Sequence, residues 1–106
     1  MYIRICGTAD LTEGEVTKFE VNNRWILIAR AGSAYFASDA TCTHEEADLS
    51  LGLLANKTIA CPLHLARFDL ETGAVLEGPN GEDPSSISSL RTYKVKIEGD
   101  NVLADL

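Results

Sequence analysis

Cys42-Thr43-His44 and Cys61-Pro62-Leu63-His64 are the two stretches on which the reading of this chain turns. Each places a histidine two or three residues after a cysteine. The 106 residues hold no other histidine and only one other cysteine, Cys6. Sixteen residues, 45–60, separate the two stretches. Thiolate and imidazole are the favoured protein ligands of soft and borderline metals such as zinc and iron. Two loops that each offer one sulfur and one nitrogen make Cys42, His44, Cys61 and His64 a four-donor metal site. Residue types alone leave the metal open, since a single tetrahedral zinc also takes two Cys and two His.

Outward from these stretches the chain reads as short strands. Residues 2–6 alternate and are rich in β-formers. Residues 16–21 and 24–30 flank Asn22-Asn23, a hairpin signal because Asn tolerates the positive φ of a tight turn. Gly32-Ser33 marks another turn before residues 34–37. Residues 92–98 alternate with period two, and Gly99-Asp100-Asn101 leads into residues 102–106 as a closing hairpin. The middle is different. Residues 41–65 have no sustained periodicity, residues 47–54 offer at most a helical turn or two, and residues 78–89 read as a long loop rich in Gly, Pro, Ser and acids.

The predicted fold is all-β: one antiparallel domain over residues 1–106, built of small sheets or a sandwich. A two-loop metal-binding subdomain is inserted at about residues 40–80. Trp25, Ile26, Ile28, Tyr35, Phe36, Phe68, Val95 and Ile97 are expected to fill one small core, with Trp25 and Phe36 buried. Cys6, in a strand, is expected to be a small buried hydrophobe. Arg67 is expected to pair locally with Asp69 or Glu71. At this length the core stabilises only modestly, so a metal centre that fixes the irregular middle matters to folding.

Nine basic residues against sixteen acidic ones give a formal charge of −7. Phosphate binding needs clustered Lys and Arg, so nucleic acid is excluded as a partner. No apolar run approaches the ~18 residues that span a bilayer, so no membrane association is expected. The opening residues show no charged leader followed by an apolar run, and three cysteines leave a disulfide framework incomplete; together these predict the cytoplasm.

The order Cys-His, Cys-His, with gaps of one and two residues, resembles the Rieske family, and within it the small Rieske-type ferredoxins. Their pattern is Cys-x-His, fifteen to seventeen residues, then Cys-x-x-His. Thr41-Cys42-Thr43-His44, Cys61-Pro62-Leu63-His64, and Ala66-Arg67-Phe68-Asp69 through Thr72-Gly73 resemble the family's two cluster loops and the turn after them. Gly78-Pro79 resembles the start of its shielding proline loop. Glu45 and Leu65 depart from the pattern, which usually has Gly after each histidine, and residues 80–89 are longer than in the compact members.

The resemblance implies a two-iron, two-sulfide cluster, with Cys42 and Cys61 on the inner iron and His44 and His64 on the outer one. It implies a one-electron carrier and no enzyme: a monomer moving electrons from a flavin-containing, NAD(P)H-linked reductase to a terminal oxygenase. Neutral imidazoles in place of two thiolates remove negative charge and ease reduction. The high-potential respiratory relatives add a disulfide and two hydroxyl donors; the corresponding positions here resemble Ala47, Leu63, Ala66 and Phe68, which implies a potential at the low end of the family. Two alternatives stand beside this reading. One is the small Rieske subunit of a nitrite-reductase-like system, and the other a zinc-stabilised interaction module without redox activity.

Overall fold

Asn22 and Asn23 both take left-handed backbone, with φ of 52° and 63°. This is the two-residue turn whose twist matches the strands it joins. In the computed structural model it sits among eleven strands of the described residues: β1 (Tyr2–Gly7), β2 (Val16–Val21), β3 (Arg24–Ala31), β4 (Ala34–Asp39), β5 (Leu53–Ala55), β6 (Thr58–Ala60), β7 (Arg67–Asp69), β8 (Val75–Glu77), β9 (Thr92–Tyr93), β10 (Val95–Glu98) and β11 (Asn101–Asp105). The structure describes residues 1–43 and 47–106. Among the described residues four short 3-10 turns join the strands, and every strand pairing is antiparallel.

Three sheets result, in the orders β1-β11-β10, β2-β3-β4-β9 and β5-β6-β7-β8. The second is the middle layer, because β3 is buried on both faces. Ile26 and Ile28 pack with Ile5, Cys6, Ala37, Tyr93, Val102 and Ala104. Leu27 and Ala29 pack on the opposite side with Leu49, Ile59, Phe68, Leu70 and Leu90. Alternate side chains of a strand point to opposite faces, so one apolar run supplies two cores where the sequence suggested one. Fully burying one such Leu or Ile contributes about 1.5–3 kcal/mol.

Two expectations are corrected here. Trp25 is 49% exposed and Ile97 is 45% exposed. Trp25 stands near the start of β3 opposite Glu20, ahead of the doubly covered segment, with the Lys18 ammonium over its ring, 4.6 Å from the centroid. The alternating run 92–98 is also not one strand. It breaks at Lys94, so that β9 pairs with β4 while β10 pairs with β11 in another sheet. The irregular middle holds the third sheet, whose three-residue strands are too short to show a period. Residues 47–54 contribute a single 3-10 turn, Leu49–Leu51.

Candidate metal centre

Two loops of the same design carry the candidate ligands. In the first, Thr41 and Asp48 form an antiparallel bridge, and the Cys42 N–H donates to the Ala47 carbonyl at 3.0 Å. In the second, Ala60 and Arg67 pair where β6 passes to β7, and the Cys61 N–H donates to the Ala66 carbonyl at 2.7 Å. Each cysteine thus begins a loop closed by a hydrogen bond to the residue five positions on. Both thiols are buried in one apolar cluster that also includes Ala47, Ala66 and Phe68. Neither is in a disulfide.

His64 lies further out, half-buried, between Leu63 and Leu65, which are 60% and 56% exposed. The two leucines are therefore surface groups. His44, with Glu45 and Glu46, lies outside the described residues. Among the described residues, which leave out His44, no three His, Cys, Asp or Glu side chains group as ligands of one ion. Of the described donors, the Cys42 and Cys61 thiols are buried and the His64 imidazole is half-buried.

Leu65 has a backbone peculiarity. Its φ is 61°, in the left-handed region, while its N–H donates to the Cys61 carbonyl at 3.1 Å. For a residue with a Cβ that region costs roughly 1–2 kcal/mol, and here it closes the second loop tightly enough for Ala66 to reach Cys61.

A third segment straps both loops. The Asn80 N–H donates to the His64 carbonyl at 2.7 Å, and the Thr43 hydroxyl donates to the Ser88 carbonyl at 2.6 Å. Gly78 anchors the strap: a Cβ there would stand 2.7 Å from the Asp83 carbonyl oxygen and from the Ser86 hydroxyl. Sequence reasoning left residues 80–89 without a role. The usable signal was Pro79-Asn80-Gly81, since Asn is the non-glycine residue most at ease at the φ of 53° found at Asn80.

Charges brace the periphery. Asp48 caps the 49–51 turn by accepting from the Ser50 N–H at 2.9 Å, and it pairs with Lys18 of β2 at 2.7 Å. Partial burial pushes the Asp48 carboxyl up, but the hydrogen bonds from Lys18 and Ser50 and the Lys18 charge outweigh it and hold the group below the usual carboxylate range. Arg67 pairs with Glu77 across β7 and β8 at 3.2 Å, while Glu71 is taken by Lys57 at 2.6 Å. The local partners expected for Arg67 are thus replaced by a cross-strand one.

Two matched loops with buried thiols, the second carrying a half-buried histidine, agree with the family comparison, in which the Rieske [2Fe-2S] domain matches residues 1–94. The chain belongs to the Rieske [2Fe-2S] domain family. It is 39% identical over 103 residues to the ferredoxin component of biphenyl 2,3-dioxygenase from Rhodococcus jostii, with 97% of this chain and 91% of the relative covered. Among solved structures it resembles the ferredoxin of carbazole 1,9a-dioxygenase from Nocardioides aromaticivorans, at 30% identity and a TM-score of 0.83 over 97% of this chain and 95% of that one. It also resembles a chain in the complex of reduced oxygenase and oxidised ferredoxin of carbazole 1,9a-dioxygenase, at 25% identity and a TM-score of 0.81, covering 97% and 91%.

A Rieske domain's cofactor is a two-iron, two-sulfide cluster in which two His replace two Cys on one iron. The described residues fit that group. Two buried thiols at the base of matched loops would hold the group on its inner side, with half-buried His64 further out.

Proposed function

We propose that this chain is a one-electron carrier of a multicomponent ring-hydroxylating dioxygenase, accepting electrons from a flavin-containing, NAD(P)H-linked reductase and passing them to the terminal oxygenase. Cys42, Cys61, His44 and His64 hold the cluster, as one domain over residues 1–106 with the cluster-binding part at about 40–80. The observation that carries this reading is the pair of equivalent loops with buried cysteines and one half-exposed histidine, in a chain whose relatives are ferredoxin components. When bound, the cluster supplies a one-electron redox centre.

The chain's own residues give that centre its setting. Cys42 and Cys61 face the apolar core, which keeps water from the sulfur side. His64 reaches toward the surface, where the path to a partner is short. Ala66 and Phe68, both fully buried, bring no hydroxyl near the second loop; with few donors to stabilise an added electron, the potential lies low in the Rieske range. The charge of −7 favours encounter with basic partner surfaces. No helix among the described residues is long and apolar enough to cross a membrane, and cysteines outside disulfides suit the cytoplasm.

Iron and sulfide analysis with electron paramagnetic resonance of the dithionite-reduced protein tests the reading. Two irons and two sulfides per chain with a reduced paramagnetic signal are expected, and replacing Cys42, Cys61, His44 or His64 by Ala should abolish both. Colourless protein with stoichiometric zinc would overturn it.

A further inference from the structure

Leu65 is unfavourable in two ways at once. Its backbone occupies a left-handed conformation that a side chain opposes, and that side chain stands 56% exposed to water. Glycine would relieve both. Strain at a site of function persists where the strained group is used, and what Leu65 offers is an apolar surface. Leu63 offers the same on the other side of His64, at 60% exposed.

The surroundings indicate what meets this surface. An electron leaving by His64 requires an acceptor against that histidine, and such an acceptor covers residues 63 and 65. The strap bonded to the His64 carbonyl through Asn80 continues into Glu82 and Asp83, both exposed. Two exposed leucines, with carboxylates following along the strap bonded to His64 and a chain charge of −7, are complemented by an apolar recess with a basic rim.

We propose that Leu65 is a docking residue for the terminal oxygenase, and that its left-handed backbone is retained because it holds the side chain outward for that contact. The proposal rests on the electron-carrier reading above. In this arrangement stability and docking pull in opposite directions at one position, which a merely structural residue does not produce.

Cluster-loaded wild type is compared with Leu65→Gly, Leu65→Ala and Leu65→Met, using the oxygenase component of the Rhodococcus jostii biphenyl 2,3-dioxygenase as acceptor. Leu65→Gly should raise Tm by several degrees and leave the paramagnetic signal and midpoint potential unchanged. Its kcat/KM for electron delivery should fall about tenfold, carried by KM, the size expected for an interface anchor. Leu65→Ala keeps the strain and loses the contact, so the same fall should come without a gain in Tm. Leu65→Met should behave as wild type. Wild-type delivery kinetics in the Gly and Ala variants would overturn the proposal while leaving the carrier reading intact. A fall confined to reduction by the reductase component would overturn the choice of the oxygenase. A wild-type protein with an intact signal that delivers no electron would sink the carrier reading and this proposal together.

Discussion

The backbone N–H of Asn80 donates to the carbonyl of His64 at 2.7 Å, so the strap and the second loop are joined at the histidine's own peptide. Proline at 80 removes that donor and cannot adopt a φ of 53°. Asn80→Pro should destabilise by more than about 1 kcal/mol and hasten cluster bleaching in air, followed by visible absorbance. Asn80→Gly keeps both the donor and the backbone and should bleach at the wild-type rate.

Gly73 closes the turn between β7 and β8 at a φ of 81°, and a Cβ there would lie 2.0 Å from the Leu90 carbonyl oxygen. That same segment holds the Leu90 N–H on the Gly73 carbonyl at 2.8 Å. Backbone strain and overpacking add, so Gly73→Ala should cost about 2–4 kcal/mol. Thermal unfolding should show a Tm roughly 10–20 °C lower.

Lys18 and Asp48 tie β2 to the end of the loop that begins at Cys42. Both are partly exposed, so Lys18→Met should cost no more than about 1 kcal/mol at neutral pH and less in high salt. The Asp48 carboxyl is depressed in the folded protein, so its contribution is present above the ordinary carboxylate value of about 4 and is lost as pH falls through the folded value. Urea unfolding of wild type and variant should therefore differ at pH 7 and converge as pH drops below about 4.

Cys6 gives the opposite sign. Burial first, and the Asp10 charge second, push its thiol up from 9.0 to about 11. The folded state keeps this proton after the unfolded chain has released it. The stability linked to the neutral thiol is intact below pH 9 and is lost progressively between 9 and about 11. Cys6→Ala should flatten the decline of Tm over that window, and Cys6 in the native protein should resist thiol reagents that label it after unfolding.

Ala66 accepts from the Cys61 N–H and is fully buried. Serine there adds one small hydroxyl donor to the loop that begins at Cys61, a proposed ligand. The midpoint potential of Ala66→Ser, measured by voltammetry, should rise relative to wild type; an unchanged value would show that this position does not act on the cluster.

Much of the fold was legible locally. Asn22-Asn23 announced its hairpin because the turn demands left-handed backbone, and the strands at both ends showed period two. Residues 53–77 did not read as strands, because three-residue strands span barely one alternation and their pairing is set by the loops between them. Trp25 was misread because apolarity shows which residues favour burial and not which end of a strand another layer covers. The Arg67 partner was missed for a similar reason: Glu77 is ten residues away in sequence and adjacent only once β7 and β8 pair.

The candidate ligand types and their spacing belong to the sequence alone, since the affinity of sulfur and imidazole for iron is a property of those groups wherever the chain carries them. Tertiary structure decided the rest. Only packing sends alternate residues of β3 into two separate cores, buries Cys42 and Cys61 together, and leaves His64 at the surface between two leucines. Those outcomes depend on contacts between residues far apart in the chain, and composition and local periodicity carry no record of which distant segments meet.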